Sequence, residues 1–306
     1  MIVTAMAAPR LFDRKLLLAR RIRAERQGAE TFLLDAAAGE LVERLSAVNR
    51  RFALALDLGT PGGALAAALR QGGEIDRVIT SDPLAGSDAG LLPRVAADEE
   101  ALPFGNETLD LVVSALALQW VNDLPGTFAQ IRRALKPDGL FLAALIGGET
   151  LGELRESLAV AESEIEGGVS PRVSPFVDVR TLGSLLQRAD FALPVTDVER
   201  MTVRYRNVRA LLHDLQRMGA ANALVERSRK PLRRGVLARA EEIYAARFTD
   251  PDGRLRATFD VLWLSAWAPH ESQQKPLKPG SAKMRLADAL GTRERPAGEK
   301  TGRRTR

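Results

Sequence analysis

The residues best suited to chemistry are polar side chains that directly follow short apolar runs. Asp57 ends the run at 52–56, and glycines at 59, 62 and 63 then open onto a helical segment at 64–69. A continuous apolar run predicts a strand buried on both faces of a parallel sheet. Glycines let the backbone approach a ligand, and the following helix offers unpaired N–H groups. The turn is predicted to bind a nucleotide-like ligand, although such turns also occur without one.

Three later strands are predicted to end in the same way. The strand at 77–81 ends at Asp82, the strand at 94–97 is followed by Asp98 and Glu99, and the strand at 109–114 ends on Ser114. Ligands of open α/β sheets bind at the carboxyl ends of the strands, where these side chains are expected to meet. Each residue alone also fits an ordinary turn, so the prediction rests on their common position.

The remaining elements complete an alternation of strands and helices. The predicted fold is α/β, with a doubly wound, mostly parallel, seven-stranded Rossmann-like sheet, N-terminal helices and helical insertions. We expect a helical lid at 1–50, a ligand-binding core at 51–148, the rest of the same domain at 149–268 and a basic, disordered tail at 269–306. Further strands are predicted at 140–146, 193–205 and 258–267, and helices at 11–26, 31–45, 125–135, 150–165, 179–189, 208–218 and 232–247.

Composition narrows the chemistry. The 306 residues include no cysteine, which excludes disulfides, thiolate metal centres and thiol nucleophiles, and the two histidines, His213 and His270, lack ligand-like spacing. No metal site is expected. No apolar run approaches a membrane span, and no signal peptide is recognised, so the expected location is cytoplasmic, with peripheral contact to the inner membrane as an alternative.

Positive charge is concentrated at the two ends of the chain. The net charge is +5, but residues 1–26 carry +5 and residues 269–306 carry +6, which leaves 27–268 at −6. Sparse aromatic residues in both ends argue against nucleic acid as a partner. A further basic run, RSRKPLRR at 227–234, is either a solvated loop or, if it lies beside a cleft, a contact for an acidic partner.

Several motifs together resemble the class I, Rossmann-like S-adenosylmethionine-dependent methyltransferases. They are LDLG at 56–59, the second-strand acid, ADEEALPF at 97–104, LDLVVSALALQWVNDLP at 109–125 and LKPDGLFLAAL at 135–145. The resemblance implies S-adenosylmethionine as cofactor. It implies that Asp57 and Gly59 form the methionine side of the cofactor site, and Gly63 and Ser114 are further predicted cofactor-binding residues.

The same resemblance assigns the other end of the cofactor. Asp82 is expected to accept from the ribose hydroxyls, Asp98 to read the adenine amino group, and Glu99 to offer its backbone N–H to the adenine ring. One departure is Pro61, which stands where the family has a second glycine and removes one N–H donor.

The second half of the chain resembles one branch of this class. FDRKLLLARR at 12–21, GGETLGELRESL at 147–158, SPRVSPF at 170–176 and WAPHESQQKPLKPGSA at 267–282 are similar to the methyltransferase-fold assembly factor of respiratory complex I. The domain is also similar to the malonyl-carrier-protein O-methyltransferase of biotin synthesis. The first resemblance implies hydroxylation of an arginine on a complex I subunit.

Three functions remain open at this point. The first is an S-adenosylmethionine-dependent methyltransferase acting on a protein or a carrier-bound carboxylate. The alternatives are a complex I assembly factor that hydroxylates an arginine, and a non-catalytic binding module. Methyl transfer depends mainly on alignment, and no catalytic base is recognised. Gln119, Trp120 and Asn122 are the candidates on the acceptor side, because they follow the fourth strand.

Overall fold

The computed structural model describes residues 10–83, 93–274, 281 and 284–293. It contains two units, one formed by Met1–His270 and one by Glu271–Arg306. The first unit holds a seven-stranded sheet, and the predicted fold class is confirmed. The described residues of the second unit include a short helix, α9 (Leu286–Ala289). Much of the predicted tail, residues 275–280, 282–283 and 294–306, lies outside the described residues.

The sheet has the order β3-β2-β1-β4-β5-β7-β6. Strands β1 to β5 are parallel, and β7 runs antiparallel to both β5 and β6. The chain therefore reverses its direction of winding between β1 and β4, which is where ligands bind in doubly wound sheets. The strands are β1 (Phe52–Leu58), β2 (Ile75–Ser81), β3 (Arg94–Val95), β4 (Leu109–Ala115), β5 (Leu135–Gly147), β6 (Ala192–Tyr205) and β7 (Leu255–Trp267).

Helices cover both faces of the sheet because its central strands are apolar on both sides. In β4, Leu111 and Val113 belong to one buried cluster and Val112 to another. In the first cluster, five helices pack against one face of the sheet: α2 (Phe32–Ser46), α3 (Ala64–Gln71), α5 (Gly152–Glu166), α7 (Val208–Arg217) and α8 (Arg234–Phe248). The second packs α4 (Leu124–Ala134) and α6 (Val179–Arg188). No helix within the described ranges is long and apolar enough to cross a bilayer.

The N-terminal helix, α1 (Arg14–Arg26), starts later than the predicted residue 11. Asp13 caps it, since its side chain accepts a hydrogen bond from the Leu16 N–H. Phe12, the residue before this cap, instead packs in a small separate cluster, where its ring lies against that of Trp120 with centroids 5.4 Å apart. This packing fixes α1 beside the carboxyl edge of the sheet.

Candidate functional site

The carboxyl edge of the sheet begins with Asp57, which is 1% exposed. Burial raises the pKa of this carboxyl group to about 7, and the nearby charge of Asp82 acts in the same direction. Thr60 and the Ala66 amide are close enough to lower this pKa in part, but neither makes a well-formed hydrogen bond with the carboxylate oxygens. Asp57 is therefore a buried acid whose oxygens are available to a donor.

The glycine turn after β1 has the conformation that its sequence requires. Gly59, Gly62 and Gly63 have φ values of 70°, 75° and 74°, a region that other residues rarely adopt. Pro61 opens the 3-10 turn Pro61–Gly63. At a first helical position the N–H has no partner within the turn, so proline fits here without loss of an internal hydrogen bond. The departure at Pro61 is thus compatible with the turn geometry.

Gly59 also lies against the side chain of Glu99. A Cβ atom at Gly59 would overlap the Glu99 carboxylate and would lie 2.8 Å from its Cγ atom. Glu99 is fully buried, and its Oε1 atom has no hydrogen-bond partner in the described part of the chain. The first and third strand tips are therefore in direct contact.

Arginines of α1 cover the acids of the third strand tip. Arg14 Nη2 donates to Asp98 Oδ1 over 2.7 Å and also to Glu99 Oε2, while Arg21 Nη1 lies 4.0 Å from Glu99 Oε1. Burial lowers the pKa of Arg14, but the pairing with Glu99 and Asp98 outweighs it and the net shift is upward. Burial dominates at Arg21, so its pKa is lowered although Glu99 and Asp82 oppose the shift. Neither arginine was predicted from the sequence as a site residue.

Ser114 and Thr60 join β1 and β4 at the same edge. The Ser114 hydroxyl donates to the Leu58 carbonyl over 2.7 Å, and the Ala115 N–H donates to Thr60 Oγ1 over 2.9 Å. Ser114 is fully buried. Its hydroxyl proton is thus used within the protein, and this bond holds the end of β1 against β4. A cofactor contact by Ser114 stays a prediction.

A cavity of about 300 Å³ adjoins the glycine turn. Pro61 and Gly62 form part of its wall, and Gln119 and Trp120 face it from the 3-10 turn Leu118–Trp120. Gln119 Nε2 donates to the Leu116 carbonyl over 2.8 Å, whereas its Oε1 atom is buried without a partner among the described residues. The remaining walls are mostly apolar and come from α2, α5, α7 and β7, for example through Leu34, Leu154, Leu212 and Phe259.

Asn122, the third acceptor-side candidate, has a different environment. Its Oδ1 atom accepts from the Phe12 N–H over 2.7 Å and its Nδ2 atom donates to the Phe12 carbonyl over 3.3 Å. It does not line the cavity as Gln119 and Trp120 do. Within the structure it ties the segment before α1 to the loop after β4.

The SPRVSPF segment supplies another wall of the cavity. Arg172, Val173 and Phe176 face the cavity. Arg172 is held in place by Glu162 of α5, to which its Nε atom donates over 2.8 Å. Glu162 also accepts from the Ser170 N–H over 2.8 Å, so Glu162 anchors the first residues of this segment to α5.

The comparisons with known proteins agree with this geometry. Residues 56–143 match the model of a family described as a methyltransferase domain. A solved structure of a Bacillus halodurans protein has the same fold, with a TM-score of 0.51 at 15% identity, and the match covers 76% of this chain and 99% of that chain. The sheet order and the matched domain define the class: the chain belongs by fold to the class I, Rossmann-like S-adenosylmethionine-dependent methyltransferases.

Two groups of curated relatives narrow the assignment. The human mitochondrial arginine-hydroxylase NDUFAF5 is 40% identical over 280 residues, covering 89% of this chain and 81% of that protein. A malonyl-[acyl-carrier protein] O-methyltransferase of a Methylovorus strain is 34% identical over 244 residues, and the match covers 75% of this chain and 80% of that protein. The chain belongs to the NDUFAF5 family, with the malonyl-carrier-protein methyltransferases as related proteins.

S-adenosylmethionine is the cofactor of this class, and the strand-tip residues fit it. The left-handed glycines leave the backbone of the turn open, since a Cβ atom at Gly62 would meet nothing within 4 Å. The buried, unpartnered oxygens of Asp57 suit a donor such as an ammonium group. Asp82 directly follows β2, at the position that suits a ribose diol.

Proposed function

We propose that the chain binds S-adenosylmethionine at the carboxyl edge of β1, β2 and β4 and modifies an arginine side chain of a protein. The arginine enters the cavity lined by Gln119. The observation that carries this proposal is Gln119, which lines a cavity whose wall includes Pro61 and Gly62 and whose buried Oε1 atom has no hydrogen-bond partner among the described residues. The relatives named arginine-hydroxylases support the same residue type.

An arginine side chain matches the chemistry of the cavity. Its aliphatic stem suits walls built from residues such as Leu154 and Phe176, and its guanidinium group donates N–H bonds. Gln119 Oε1 is an acceptor for one such bond, and Glu30 lies on the same wall. Glu30 is already 3.4 Å from Arg217 Nη1, so it can share its charge with a second guanidinium. The protein substrate we propose is a subunit of respiratory complex I.

The favoured reaction is hydroxylation, as in the names of the relatives. Hydroxylation replaces one C–H bond of the arginine by C–O–H. It consumes dioxygen, two electrons from an external reductant and two protons, and the second oxygen atom leaves as water. Methylation is the second candidate, because the cavity adjoins the glycine turn of a methyltransferase fold. When bound, S-adenosylmethionine supplies an electrophilic methyl group.

Calorimetry with S-adenosylmethionine tests the cofactor half of the proposal. We expect Asp82→Ala to weaken binding about tenfold to a hundredfold, because a charge-assisted hydrogen bond is lost. Asp76→Ala is the matched control, since Asp76 lies at the other end of β2 and is exposed. If the wild-type protein gives no binding signal, the non-catalytic binding module is the better description.

Mass spectrometry of complex I subunits tests the substrate and the reaction. An arginine peptide from a deletion strain should lack a mass increment present in the wild type: one oxygen atom for hydroxylation, or one methylene for methylation. Complementation with Gln119→Leu should reduce the modified fraction about tenfold, whereas Gln187→Leu, on the exposed side of α6, should restore it fully. Identical arginine peptides in wild-type and deletion strains would disprove the proposal.

A further inference from the structure

A cluster of arginines lies where α1 meets the loop after α7. Arg23 and Arg227 both lie near Arg20, and their like charges lower its pKa in addition to the larger effect of burial. The positive charges of Arg227 and Arg229 both help to lower the pKa of Asp13 at the start of the helix. The basic run noted in the sequence therefore continues onto α1. We call Arg20, Arg23, Arg227 and Arg229 the basic patch.

The acids of the protein balance this patch only in part. Arg227 Nη2 lies 3.3 Å from Asp13 Oδ2, which is the one ion pair that the patch makes within the described chain. Arg20, Arg23 and Arg229 make none there, and Asp13 is the only acid that opposes the shift at Arg20. Like charges held together in this way are stabilised by an incoming anion.

The patch borders the cavity of the proposed active site. Arg20 Nη1 donates to the Asn222 carbonyl, and Asn222 lines the cavity together with Arg21, the neighbour of Arg20 on α1. Asn222 Nδ2 also donates to the Pro171 carbonyl over 2.8 Å, which links the patch to the SPRVSPF wall. A chain whose side chain enters the cavity would pass over or beside the patch.

We propose that the basic patch docks an acidic segment of the substrate protein, close to the residue that enters the cavity. This inference rests on the proposed function, because it requires a protein substrate. Arg227 and Arg229 form a local excess of positive charge within residues 27–268, which together carry −6, and Arg20 and Arg23 add to it from α1. Such a patch steers and orients a partner of opposite charge.

A protein partner fits this surface better than a lipid bilayer does. Helices that lie on membranes present Trp, Phe or Leu beside their basic residues. The exposed positions of α1 are instead Lys15, Ala19, Arg23, Glu25 and Arg26. The exposed face of α1 is therefore charged or small rather than apolar.

The test uses the full-length protein and a defined probe. The probe is a fluorescein-labelled peptide of alternating glutamate and glycine, and its control contains glutamine in place of glutamate. We expect binding of the glutamate peptide alone, and weaker binding as salt is raised. The double variant Arg23→Glu/Arg229→Glu should weaken it about tenfold or more, because two attractive contacts become repulsive.

A matched variant and two further measurements separate the outcomes. Arg70→Glu/Arg188→Glu makes the same charge change at exposed positions on α3 and α6 and should leave peptide affinity nearly unchanged. Equal losses in the two double variants would overturn the docking site. So would tighter binding of the wild type to anionic phospholipid vesicles than to the peptide. Calorimetry with S-adenosylmethionine should give the same affinity in all three proteins; a wild type without cofactor binding refutes the proposed function but not the peptide result.

Discussion

The ion pair between Arg14 and Glu99 should contribute to stability as a buried contact rather than a surface one. Their side chains are 18% and 1% exposed, and Arg14 also donates to Asp98, which is 44% exposed. Removing one partner of a buried pair costs about 3–5 kcal/mol, because the other charge is left uncompensated. Arg21, 4.0 Å from Glu99, compensates part of that loss. We expect Arg14→Met to lower the free energy of unfolding by about 2–4 kcal/mol.

Urea denaturation followed by tryptophan fluorescence measures this change. Trp120 reports on the region, since its ring contacts Phe12 just before α1. Lys15→Met is the matched control on the same helix, because Lys15 is exposed and makes no ion pair in the described structure. Its effect should stay within about 0.5 kcal/mol.

A second substitution makes the cause testable. Glu99→Gln removes the charge that Arg14→Met leaves behind, so the double variant should be more stable than the sum of the two single losses predicts. Additive losses would show that the charges do not interact. An Arg14→Met variant as stable as Lys15→Met would refute the assignment of a buried ion pair.

Three further predictions concern the glycine turn and the strand tips. Burial raises the pKa of Asp57 to about 7, so the folded protein binds more protons than the unfolded chain between the ordinary aspartate value and 7, and stability falls as pH rises through this interval. The difference in free energy of unfolding between Asp57→Asn and the wild type should therefore shift in favour of the variant by about 2 kcal/mol between roughly pH 5 and pH 7. Urea unfolding measures this difference, and the same value at both pH values would contradict the prediction. Gly59→Ala should lower the free energy of unfolding by about 3 kcal/mol, because the alanine would have a φ of 70° and would also overlap Glu99. Gly62→Ala, at a φ of 75° but in open space, should lower it by about 1 kcal/mol. Similar losses in thermal unfolding would rule out the contact with Glu99. Ser114→Ala should lower stability by about 1 kcal/mol and change S-adenosylmethionine affinity less than about twofold, and a large loss of affinity in calorimetry would instead assign the hydroxyl to the cofactor.

The fold could be predicted because its signals are local. A strand buried on both faces is continuously apolar, as in β4, where both Val112 and Val113 are fully buried. The predicted strand at 109–114 accordingly lies within the observed Leu109–Ala115. The ends of β5 were harder to predict, because Lys136, Pro137 and Asp138 interrupt the apolar pattern although they belong to the strand.

The site could be predicted only in part because its contacts join distant segments. Asp82 directly follows β2 as the sequence indicates, whereas Asp57 is the last residue but one of β1, which continues to Leu58. The pairing of Arg14 with Glu99 spans 85 residues, and no local pattern marks it. The role of Ser114 depends on the Leu58 carbonyl, which lies on a neighbouring strand. Such partners are set by strand order and by the docking of α1, not by residue type.

Helix α1 connects the cofactor edge, the cavity and the basic patch through its spacing. Arg14 and Arg21 are seven residues apart and therefore lie on one face, where both approach Glu99. Leu17 and Ala24, the buried residues of the helix, occupy the same side. A basic helix would ordinarily turn its arginines to water; here the acids of the third strand tip draw two of them inward. Arg20 and Arg23 then face the loop that carries Arg227, so one rigid element sets the positions of both groups of charges.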